Sequence, residues 1–71
     1  MELHEFQKAF GARLRDVRKG KGISQGKLSV DTGMSEGYLS RLENGKVNVT
    51  LDIVRRLGIA LGVEARVLFD F

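Results

Sequence analysis

An apolar residue, then Ser or Thr, then another apolar residue four positions after the hydroxyl: this arrangement occurs three times and constrains the fold more than any other feature. Ile23-Ser24 precedes Leu28, Met34-Ser35 precedes Leu39, and Val49-Thr50 precedes Val54. In each, the hydroxyl can accept from a first-turn N–H that has no partner inside the helix, while the flanking apolar residues pack across the cap. Helix starts are therefore predicted near residues 24, 35 and 50. Stops are marked as well, because Gly33, Gly45 and Gly62 stand where a residue past the helix end turns left-handed.

Ahead of these segments, Phe6, Phe10, Leu14 and Val17 recur at spacings of four, four and three. That is one stripe of a helix, and Gly20 and Gly22 end it. Behind them, a last short helix is predicted over roughly Glu64 to Phe69. Its cap, Glu64, is a poorer choice than Ser or Thr. There is no proline and no sustained strand-like alternation. The predicted fold is all-α, a compact bundle of about five short helices in one domain, residues 1–71. Such helices are marginal alone. They persist by burying Leu28, Leu39, Leu42, Ile53, Val54, Leu57 and Leu61 against the first helix.

A chain of 71 residues has a core near the lower limit of unaided folding. Without cysteine, neither a disulfide nor a thiolate zinc site can staple it. His4, the single histidine, lies in an N-terminus expected to fray and has no second ligand at metal spacing, so no metal or cofactor is expected. No apolar run approaches the roughly 18 residues of a membrane span. The opening MELHEFQKAF is acidic and mixed, unlike a signal peptide, so a cytoplasmic location is expected. An enzyme is disfavoured, since no nucleophile–base pair, metal cluster or phosphate-cradling loop is present.

Twelve Lys and Arg against nine Asp and Glu give a net charge of +3. Five of the basic residues, with one acidic, fall in RLRDVRKGK, Arg13 to Lys21. This segment is either a solvated helix face or a phosphate-facing patch. Helices 24–32 and 35–44, joined by about three residues centred on Gly33, have the form of a helix-turn-helix. In that motif the second helix is aimed outward, and its N-terminal residues enter the major groove.

The stretch ISQGKLSVDTGMSEGYLSRLENGK, Ile23 to Lys46, resembles the Cro/CI-type helix-turn-helix family of phage repressors and related bacterial regulators. The resemblance runs from LRDVRKGKGISQ through LSRLENGK to LGIALGVEARVLF, nearly the whole chain, and implies a lambda-repressor-like fold. ENGKVNVTLDIVRRL is similar in addition to the small controller proteins of restriction–modification systems. VNVT replaces the proline that most family members carry after the third helix.

The resemblance implies a sequence-specific regulator of transcription on double-stranded DNA, a dimeric repressor on a two-fold operator; with no second domain to hold one, no small-molecule ligand is expected. An antitoxin-type interaction module that also binds DNA is the alternative. A basic membrane-surface helix over residues 3–19 is a further reading, but the Phe and Leu stripe is more simply core.

By the same resemblance Gln25 lies against the DNA backbone, and Ser35, Glu36, Gly37, Ser40 and Arg41 face base edges. Arg41 either pairs with guanine or clamps a phosphate; Glu36 either accepts from cytosine N4 or stabilises the helix N-terminus. Gly37 costs a helix interior about 1 kcal/mol relative to Ala and stands where the family often places a reading side chain. Tyr38 is expected with its ring inward and its hydroxyl toward a phosphate. Asn44 and Lys46 are expected to grip phosphate, with helix termination the other reading of Asn44. Arg18 and Glu43 match a buried structural salt bridge of the family, and Arg13, Arg15, Lys19 and Lys21 remain for a peripheral backbone patch.

Val63, Val67, Leu68, Phe69 and Phe71 follow the fourth helix, and Phe71 has nothing after it to cover it. An isologous dimer interface of Val67, Phe69 and Phe71 is expected. The alternative is that Leu68 and Phe69 close the monomer core.

Overall fold

The computed structural model describes all residues, 1–71. Four α-helices, α1 (Leu3–Gly20), α2 (Gln25–Thr32), α3 (Glu36–Glu43) and α4 (Leu51–Leu61), are followed by a closing 3₁₀ helix, Ala65–Phe69, and there is no strand. The three hydroxyl caps form as their spacing requires. Ser24 Oγ accepts from the Lys27 N–H at 3.0 Å, Ser35 Oγ from Tyr38 at 3.0 Å and Thr50 Oγ1 from Ile53 at 3.1 Å. Gly33 and Gly62 end α2 and α4 with φ of 75° and 69°, and Gly45 follows α3 with φ of 73°.

Four expectations change. At 18 residues α1 is not short. Its start is capped, since Glu2 and Glu5 form a reciprocal capping box, each carboxylate accepting from the other's backbone N–H. The last element is a 3₁₀ turn, and Glu64 makes no side-chain cap. Ile53 is only half-buried and flanks the core rather than filling it.

The core consists of Phe10 and Leu14 from α1, Leu28 from α2, Met34, Leu39 and Leu42 at α3, Val54, Leu57 and Leu61 from α4, and Leu68. Helix α1 packs on α3 and on the 3₁₀ turn, while α2 packs on α3 and α4. The α1–α3 approach is backbone to backbone. A Cβ on Gly11 would stand 2.4 Å from the Leu42 carbonyl oxygen, and one on Gly45 would stand 2.6 Å from Lys8 Cα. These two glycines fix where the end of α3 sits.

Leu68 is fully buried and closes the monomer core. Phe71 is partly covered and stays 50% exposed. Its ring meets Phe6 edge-on at 5.4 Å, and Phe69 lies 5.0 Å from Phe10. The turn is pinned to α1 by Arg13, whose Nε donates to the Val67 carbonyl at 2.9 Å. Arg13 is thereby withdrawn from the basic patch. No helix is long and apolar enough to cross a membrane.

Candidate nucleic-acid interface

The orientation of α3 is fixed by the turn before it. Thr32 Oγ1 donates to the Leu28 carbonyl at 2.7 Å and accepts from the Met34 N–H at 3.2 Å, and Ser29 Oγ donates to the Met34 carbonyl at 2.5 Å. From α4, the Arg56 guanidinium donates to the Thr32 carbonyl at the end of α2. Met34 is itself buried, so the loop is anchored by side chain as well as backbone.

Held this way, α3 buries Leu39, Leu42 and Glu43 and turns its other side to solvent. Gly37, Ser40, Arg41 and Asn44 follow at i, i+3, i+4 and i+7, one stripe opposite the core face. Gly37, Arg41 and Asn44 are exposed and Ser40 half-buried. Ser35 is exposed at the cap, with its oxygen committed to the Tyr38 N–H. Glu36 is exposed but leans toward α2, where a Cβ on Gly26 would be 3.8 Å from its carboxylate oxygens. Its charge therefore lies beside the first turn of α2. The Tyr38 ring packs half-buried against the core, as expected of an inward aromatic.

Beneath the stripe lies an ion-pair network at the meeting of α1, α2 and α3. Arg18 and Glu43 are 8% and 3% exposed. Arg18 Nε donates to Glu43 Oε2 at 2.6 Å, Nη2 to Oε1 at 3.1 Å, and Nη1 to the Ile23 carbonyl at 2.9 Å. A planar fork on a carboxylate is the geometry that favours arginine over lysine. Gln25 Nε2 at 3.1 Å and Arg15 Nε at 3.4 Å also donate to Glu43 Oε1. Burial pushes the Glu43 carboxyl up. Hydrogen bonds from Arg18 and Gln25, the Arg18 charge and the Arg15 contact outweigh it and hold the group below the usual carboxylate range. The Glu43 hydrogen bond raises Arg18 above its ordinary value against the opposing effect of burial. No buried side-chain polar atom is left without a partner.

This network engages residues expected to face outward. The Gln25 amide donates inward to Glu43, while the backbone N–H groups of Gln25 and Gly26 have no partner in the chain. Asn44 Nδ2 donates back to the Ser40 carbonyl at 2.8 Å, and its Oδ1 accepts from Arg15 at 3.4 Å, so it terminates α3. Lys46, Lys19 and Lys21 are exposed.

Sequence reasoning missed Gly11, the convergence of Arg15 and Gln25 on Glu43, the Arg56 bond to the turn, and two apolar side chains of α4. Leu51 is 88% and Ile59 68% exposed. Ile59 falls off the Val54–Leu57–Leu61 stripe, which was the available signal, whereas Leu51 is the first residue of α4 and its spacing gave none. Two shallow cavities of about 290 and 370 Å³ adjoin here and share Leu51, Val54 and Phe69. Leu3 and Phe6 line the first, and Ile59 lines the second.

Comparison with known proteins gives a consistent result. A helix-turn-helix domain model matches residues 9–70. Control protein C.BamHI of Bacillus amyloliquefaciens is 38% identical over 63 residues, 87% of this chain and 78% of that protein. The HTH-type transcriptional regulator SlrR of Bacillus subtilis is also 38% identical, over 84% of this chain and 40% of its own length. Among solved structures, the restriction-modification controller protein C.AhdI from Aeromonas hydrophila superposes with a TM-score of 0.86 at 40% identity, covering 89% of this chain and 96% of that one.

Proposed function

The chain belongs to the helix-turn-helix family of DNA-binding transcriptional regulators, and from that premise we propose that it reads duplex DNA sequence with the exposed face of α3, as a homodimer. The observation that carries this reading is the stripe from Gly37 to Asn44, turned to solvent on a helix whose other face is locked into the core.

In this reading Arg41 and Glu36 meet base edges from the major groove, with Ser35 and Ser40 beside them. Lys46, the Tyr38 hydroxyl and the free N–H groups at the start of α2 meet phosphate. Gln25 and Asn44 act mainly through the network at Glu43, which sets the relative placement of the three helices.

One recognition helix spans too few base pairs to define a site, and two-fold pairing places two of them one DNA turn apart, about 34 Å. The apolar surface available for pairing is wider than the Val67, Phe69 and Phe71 of the sequence reading. Phe69 and Phe71 remain 39% and 50% exposed against α1, and the surface continues through Leu51 to Ile59. Similarity to control proteins supports a controller-like regulator.

The test is a salt titration on a duplex selected from a random pool. Log affinity should fall linearly with log salt, by about 0.9 for each phosphate neutralised. Lys19, Lys21 and Lys46 together give a slope of roughly −3 per protomer. An affinity independent of salt would reject the phosphate contacts.

A further inference from the structure

The fold accounts for most of the glycines. Gly22, Gly33, Gly45 and Gly62 have positive φ, and a Cβ on Gly11 or Gly58 would press on backbone atoms at 2.4 or 3.1 Å. Gly20 is the last residue of α1, where a helix is already ending. Gly26 and Gly37 are left, and Gly37 has none of these reasons. It lies in the first turn of α3 with helical φ, and a Cβ there would meet nothing nearer than Ser35 Oγ at 4.0 Å. Alanine would fit the folded chain and favour the helix.

Its position supplies the reason that packing does not. Gly37 heads the exposed stripe of α3, one turn before Arg41. Glu36 beside it leans over Gly26, where a Cβ would be in ordinary contact at 3.8 Å. At Gly37 the leading end of α3 is bare backbone, bordered by the Glu36 carboxylate and the Ser35 hydroxyl. In the major groove the apolar group that projects beyond the hydrogen-bonding base edges is the C5-methyl of thymine. A space the size of one missing Cβ matches it.

We infer that Gly37 is a steric specificity determinant: its missing side chain leaves a notch that admits a thymine methyl and lets α3 approach the groove floor more closely than any other residue would allow. The inference rests on the duplex-binding reading above. Specificity at this position comes from exclusion, because Gly37 offers no side-chain hydrogen bond.

The test crosses Gly37→Ala with thymine-to-deoxyuracil replacement, one position at a time, in the duplex selected for the unaltered protein. Affinity is read by fluorescence anisotropy and stability by thermal melting. The variant should melt at or above the unaltered protein and bind the thymine duplex at least tenfold more weakly. Deoxyuracil at one position per half-site should restore most of that loss, and the same replacement should weaken the unaltered protein a few-fold. A variant binding within twofold of the original overturns the inference, as does a loss that no single deoxyuracil restores. A lower melting temperature also overturns it, by showing that the fold itself needs the glycine. If the unaltered protein binds no duplex, the duplex-binding reading fails and the notch with it. Normal binding by both proteins removes the notch alone.

Discussion

Glu43→Gln preserves the shape of the side chain between α1 and α3 and deletes its charge. The Arg18 guanidinium, 8% exposed, is then left without a counter-ion. One of the two oxygens that accept from Arg18 becomes an amide NH₂ facing another donor. Removing one partner of a buried pair costs about 3–5 kcal/mol. At 0.05–0.15 kcal/mol per residue, a domain this small has only roughly 4–10 kcal/mol in total. At about 4–8 °C per kcal/mol, the melting temperature should drop by roughly 12–40 °C.

Arg18→Met should destabilise less, because Glu43 keeps Gln25 and Arg15 as donors. The double variant Arg18→Met/Glu43→Leu should recover most of the loss, since an apolar pair of similar volume avoids the desolvation of both charges. It should remain about 1–2 kcal/mol below the original, because the Ile23 carbonyl loses its Arg18 donor. Urea melts followed by circular dichroism give the four free energies by linear extrapolation. A coupling of several kcal/mol is expected from the cycle. Additive losses, with the double variant as unstable as the two singles summed, would refute the view that the two charges are mutually obligatory.

Stability should also depend on pH through Glu43. Its folded pKa lies below its unfolded value, so the contribution is complete above the ordinary carboxylate range near pH 4.5 and is lost as pH falls through the lower folded value. An acid titration of melting temperature should show this loss, and Glu43→Gln should flatten it; an unchanged acid limb in the variant would assign the loss to other carboxylates. At the far end of the molecule, Leu68→Ala should lower stability by about 2–5 kcal/mol, as expected of a fully buried leucine. Ile59→Asp should leave the melt of the monomer nearly unchanged and shift sedimentation toward monomer, and a dimer that survives this change and Leu51→Lys would place the interface elsewhere.

Helix boundaries were legible because their determinants are local. A hydroxyl at 24, 35 or 50 and a glycine at 33, 45 or 62 act on N–H and carbonyl groups within one turn. The stripe on α3 was legible for a related reason, since periodicity separates Leu39 and Leu42 from Gly37 and Arg41 before any tertiary structure is known. What spacing could not supply was which elements meet. Gly11 matters only because α1 crosses the end of α3 at backbone distance. Arg13 and Arg15 are two residues apart in one basic run, yet one pins the closing turn and the other joins Glu43. The edge contact between Phe71 and Phe6 brings the two ends of the chain together, which no local pattern records. Gln25 and Asn44 show a related effect: the family pattern marked their positions, but the carboxylate and carbonyl that engage their amides come from the packing of α3.

The central claim, that the exposed face of α3 reads bases while the loop beyond it grips the backbone, is tested most directly by Arg41→Ala and Lys46→Ala on a panel of single base-pair variants of the selected duplex. Arg41→Ala should erase discrimination at particular base pairs, by about 1–3 kcal/mol there, with helicity unchanged. Lys46→Ala should weaken every duplex nearly alike and reduce the salt slope by about one. An Arg41→Ala profile identical to that of the original protein would contradict the assignment of base reading to this face.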